Sequence, residues 1–77
     1  MRVSARPWIE GRITLVQEQR FRLTTDAGQS FLLTLAHDAP LDADALCHFL
    51  AAGRRVRVAY QGEPGLASGV AHAVEPA

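Results

Sequence analysis

Residues Trp8 to Leu35 read WIEGRITLVQEQRFRLTTDAGQSFLLTL, and apolar side chains recur at every second position through most of that stretch. Ile9, Gly11, Ile13 and Leu15 share one face, with Glu10, Arg12, Thr14 and Val16 on the other, the period of a half-buried strand. Gly11 stands in its middle, where a glycine marks a bend or bulge that helps a sheet close. After the polar break Gln17-Glu18-Gln19, the inward set resumes with Phe21, Leu23 and Thr25, and Arg20, Arg22 and Thr24 lie outward. Asp26-Ala27-Gly28-Gln29 supplies a turn with a glycine free to take positive φ, and Phe31, Leu33 and Leu35 continue the inward face. The three strands form a meander.

Working outward, the period changes at His37–Pro40. Asp42 is placed to cap a helix, Leu41 and Leu46 are spaced as a hydrophobic staple across that cap, and Leu46, Phe49 and Leu50 share one helical face. Gly53 is the stop. Two or three turns are too short to stand alone, so this face packs on the open end of the sheet. Val56, Val58 and Tyr60 alternate with Arg55, Arg57 and Ala59 as a fourth strand, and Gly62-Glu63-Pro64-Gly65 is a turn. A fifth strand runs from about Leu66 to Val74, with Ala67, Gly69, Ala71 and Ala73 forming a small-residue face. The fold class is mainly β: a five-stranded OB-type barrel with one short helix between strands 3 and 4. Residues 1–77 make a single OB-like domain, with 1–7 as a loose tail.

Composition narrows the function. Eight basic residues, all arginine, balance eight acidic ones, so no overall field draws the chain to nucleic acid or an anionic membrane. One cysteine, Cys47, allows neither an intramolecular disulfide nor a cysteine-based zinc site, and the helix middle would hold it as a small buried or half-buried thiol. No segment has the length of a signal peptide's apolar region or a membrane span, and a cytoplasmic protein with no membrane partner is expected. His37, His48 and His72 lack the short spacing of a metal motif. No glycine-rich phosphate loop or catalytic triad motif occurs. The expectation is therefore a non-enzyme with no cofactor and no metal.

Gly11-Arg12-Ile13-Thr14, Arg20-Phe21-Arg22-Leu23 and Ser30-Phe31-Leu32-Leu33-Thr34-Leu35 resemble the first three strands of cold-shock and ribosomal S1-type domains, which bind single strands. The stacking aromatics of the cold-shock family are reduced here to Phe21 and Phe31, both on the inward face, so that family's binding residues do not carry over. Residues 11–18 with 20–23, and Val56-Arg57-Val58-Ala59-Tyr60 through Pro64-Gly65-Leu66, are more similar to a group of short uncharacterised bacterial proteins, a resemblance that implies no activity.

Arg12, Arg20, Arg22, Arg55 and Arg57 point outward on three strands that an OB barrel makes adjacent, strand 1 lying between strands 2 and 4. They form either a solvated ladder paired with Glu10 and Glu18 or a basic face for single-stranded RNA or DNA. Trp8, just before the first strand, stacks on a base, anchors a partner chain or, as is commoner for a tryptophan, caps the end of the core. The leading expectation is a small binding module acting through a protein partner or self-association, with the small-residue face of strand 5 or the edge of strand 3 as the contact. Nucleic-acid binding through Arg12, Arg20, Arg22, Arg55, Arg57 and Trp8 is the alternative.

Overall fold

The computed structural model describes residues 7–63 and 69–77. Five strands, β1 (Trp8–Gln17), β2 (Arg20–Thr24), β3 (Ser30–Leu35), β4 (Arg55–Gln61) and β5 (Val70–Pro76), and one helix, α1 (Ala43–Ala52), follow one another with α1 between β3 and β4. The strands close into a barrel in the order β1-β2-β3-β5-β4, with β4 returning to β1, an architecture consistent with an OB-like fold. All neighbours are antiparallel except β3 and β5, which run parallel and, among the described residues, pair at Thr34 with Val70 and Leu35 with Ala71. Thr34 N–H donates to the Gly69 carbonyl (3.0 Å) and Ala36 N–H to the Ala71 carbonyl (2.9 Å), closing the cylinder.

Closure brings the inward residues of every element together. Ile13, Phe21, Leu23, Leu33, Leu35, Leu46, Val56, Val58, Ala71 and Val74 form one buried cluster, with Ile9, Val16, Leu41, Phe49, Leu50 and Tyr60 packed around it. Phe31 is half-buried and stands outside that cluster. The helix forms as its sequence dictates. Asp42 takes an extended conformation and its carboxylate accepts from Ala45 N–H (3.1 Å), while Gly53 ends the helix at φ 61°, donating its N–H to Leu50 O. α1 lies against β1 and inserts Leu46, which is fully buried, into the core.

Two β-bulges depart from simple alternation, and each corrects an expectation. On β1 the register moves from Ile13↔Leu23 to Leu15↔Arg22, so Thr14 is an extra residue. The parity of β1 reverses there: Leu15 faces out, 37% exposed, and Val16, expected outside, packs on the core. On β5, Ala59 pairs Ala73 but Tyr60 pairs Ala71, leaving His72 as the extra residue. Ala71 and Val74 are therefore both buried, and the small-residue face expected on strand 5 is split between the core and the outside. β5 also starts later than expected, at Val70, and extends to Pro76; Leu66, Ala67 and Ser68 lie outside the described residues. Of the expected tail, residues 1–6 also lie outside them, whereas Pro7 accepts a hydrogen bond from Tyr60 N–H (3.0 Å).

Gly11 has a steric role. β1 pairs with both β2 and β4 at this level, and a Cβ on Gly11 would collide with the Thr24 carbonyl oxygen and lie 2.9 Å from its carbon. Only glycine lets the two backbones cross so closely.

Candidate binding face

Register places the outward arginines in two groups. On the β1–β4–β5 side, Arg12 stands opposite Arg55 and Glu10 opposite Arg57, and Arg57 is in turn opposite Glu75. Arg55 Nη2 lies 2.8 Å from Asp26 and 3.3 Å from Glu10, and Arg12 Nη1 lies 3.6 Å from the same Asp26 while its Nε donates to the Gly53 carbonyl. Arg57 donates from Nε (2.8 Å) and Nη2 (2.6 Å) to one Glu75 oxygen. Three arginines thus meet three carboxylates. Each pair is about half exposed, so each contributes roughly 0–1 kcal/mol and mainly cancels the local field. Glu18, expected to share this ladder, instead occupies the β1–β2 turn at φ 57° and forms no ion pair among the described residues.

Trp8 is not the core cap that its position suggested. It is 45% exposed and outside the core cluster, with the Arg57 guanidinium 4.6 Å from its ring centroid. The cation is already held by Glu75, so the indole and the ion pair fix one another on the outer wall. Ala59, opposite Trp8 in register, is buried. Trp8 and Arg57 are therefore internally satisfied.

The β1–β2–β3 side differs. Leu15, Arg22 and Leu32 are register partners in one row across the three strands, and Leu32 is 50% exposed. Arg22 Nε donates to Thr14 Oγ1 (3.0 Å), and the Thr14 hydroxyl continues to Thr24 (3.0 Å) and on to Ser30 (3.1 Å). The bulge creates this arrangement, since it turns Thr14 and Leu15 outward together, one to hold Arg22 and the other to flank it. Next along the strands, Gln17, Arg20 and Thr34 make a second row. Neither Arg20 nor Arg22 has a carboxylate partner among the described residues.

Of the six residues that sequence reasoning singled out, Arg12, Arg55, Arg57 and Trp8 thus lie on the neutralised side, while Arg20 and Arg22 lie on the other. Sequence reasoning missed Leu15, Leu32, Asp26 and Glu75. Leu32 carries a signal, because alternation in Ser30–Leu35 puts it opposite Phe31 and Leu33. Leu15 carries none, because a bulge has no mark in its own residues. Cys47, expected to be buried or half-buried, is exposed on α1. His37 and His48 are exposed, and His72 Nε2 is 3.0 Å from Gln61 Oε1; no group of three potential metal ligands occurs among the described residues. No described helix is long and apolar enough to cross a membrane.

No protein-family model matches the chain, and no curated protein or solved structure matches it either.

Proposed function

We propose that the chain is a non-enzymatic OB-type binding module whose outer β1–β2–β3 face docks an extended segment of another protein carrying carboxylates and a leucine-like side chain. The observation behind this reading is the row Leu15–Arg22–Leu32, two exposed leucines on either side of a cation that has no counter-ion among the described residues. An apolar side chain seated between the leucines removes apolar surface from water, and a carboxylate meets Arg22, whose fork is already oriented by Thr14. A second copy of the chain suits the face less well: a two-fold contact sets a patch against itself, here Arg20 and Arg22 against Arg20 and Arg22. A cytoplasmic setting accords with the exposed, unpaired Cys47.

Sequence-tolerant binding of single-stranded nucleic acid is the second reading, favoured by the same two unpaired arginines beside a line of hydroxyls and by the resemblance to cold-shock and S1-type strands. It ranks lower because the stacking half is missing: the one tryptophan is engaged on the other wall, and Phe21 is in the core. Amide chemical-shift titrations with a peptide of alternating leucine and glutamate, and with a mixed short oligonucleotide pool, separate the two. The peptide is expected to shift Leu15, Arg22 and Leu32, and Leu32→Ser to weaken it about tenfold. Shifts with the oligonucleotides alone transfer the face to nucleic acid, and shifts that follow protein concentration without ligand indicate self-association.

A further inference from the structure

The same face ends in a cleft. It has a volume of about 560 Å3 and is lined by Gln17, Glu18 and Gln19 of the β1–β2 turn together with Arg20 and Thr34. Its walls are fixed by backbone: Gln17 pairs Arg20, Arg20 pairs Thr34, and Leu35 N–H donates to the Gln19 carbonyl at 2.7 Å. Arg20 forms no ion pair among the described residues. A planar guanidinium fork, two side-chain amides and a hydroxyl are therefore gathered in the row next to Leu15–Arg22–Leu32.

We propose that this cleft receives the C-terminal carboxylate of the docked segment, an assignment that rests on the protein-docking reading above. A chain terminus presents a carboxylate directly beside a peptide group. The carboxylate suits the Arg20 fork and the Thr34 hydroxyl, and the peptide group suits the Gln17 and Gln19 amides, which both donate and accept. Glu18 in the lining sets the charge limit: with Arg20 and Glu18 the lining is formally neutral, so the single charge of a chain terminus held on the Arg20 fork meets less repulsion from Glu18 than a dianionic phosphate would. Spacing adds a sequence requirement. Arg20 and Arg22 are two residues apart on β2, about 6.8 Å along an extended chain, so the residue seated between Leu15 and Leu32 stands about two positions before the partner's last residue.

The test uses two five-residue peptides of the same glutamate and leucine sequence, with leucine two positions before the end, one a free acid and one a C-terminal amide. The free acid is expected to bind the wild-type protein about tenfold more tightly than the amide, with shifts extending to the Gln19 and Thr34 amides, and Arg20→Gln is expected to abolish that difference. Equal binding of the two peptides by wild type overturns the cleft assignment and leaves the docking face standing. An acid preference that persists in Arg20→Gln overturns the role of Arg20 in the cleft. Failure of both peptides to bind overturns the docking reading and this inference with it.

Discussion

Gly11 shows at residue scale how one atom can be excluded by the barrel. Gly11→Ala places a Cβ against the backbone of Thr24, which a side-chain rearrangement cannot relieve, and is expected to cost about 1–3 kcal/mol, read as a lower urea midpoint with an unchanged slope. Glu75 offers the opposite case. Glu75→Gln removes the anion that holds Arg57 over Trp8, and since Trp8 is the only tryptophan, its fluorescence reports the release directly. The emission is expected to change while stability falls by no more than about 1 kcal/mol; an unchanged spectrum would show that Arg57 keeps its place without Glu75. The outward direction of each of these arginines was legible in the alternation around it. Of their counter-ions Glu10 was legible as well, and it meets Arg55, whereas Asp26 and Glu75 were not, because Asp26 is a turn residue and Glu75 lies in the last strand, far from their partners along the chain.

At the scale of elements, α1 was the most legible part of the chain and β1 the least. Cap, staple and stop are local signals, and Asp42, Leu41, Leu46 and Gly53 act in the roles their spacing implies. Asp42→Ala is expected to cost about 1 kcal/mol through the lost cap, and Leu46→Ala about 2–5 kcal/mol through a cavity in the barrel; thermal melts that rank the two in reverse would deny α1 its part in the core. β1 deceives because alternation is only as good as its register. With Thr14 counted as an ordinary strand residue, Leu15 falls inside; with Thr14 as a bulge, Leu15 falls outside and Val16 inside. Deletion of Thr14 therefore leaves Ile13 and Val16 facing the core, and the shortened chain is expected to fold cooperatively while losing the anchor of Arg22. Loss of the folded amide spectrum in that deletion would mean the bulge is required for closure as well as for the outer face.

Across the whole molecule, closure depends on its shortest seam. Among the described residues β3 and β5 share two residue pairs, against five or six at the antiparallel junctions, so the barrel is expected to open there first. Native-state hydrogen exchange should find Thr34 and Ala36 amides less protected than those of Ile13 and Leu23; equal protection would mean that the barrel opens only as a unit. Charge also acts at this scale. With Arg12, Arg55 and Arg57 neutralised within the wall, Arg20 and Arg22 are the unpaired arginines of the β1–β2–β3 face among the described residues, and oligonucleotide binding by these two should show a salt slope no steeper than about −1.4. A steeper slope would require the ion pairs to break on binding. The kinds and order of the elements, the helix boundaries and most of the core could be read from the chain alone, because these follow from periodicity and capping between near neighbours. The tertiary structure alone decided which arginines are cancelled, that Trp8 lies outside the core and that Leu15 faces outward, because each depends on strand register, which pairs residues remote in the chain and reverses a face when a single residue is inserted.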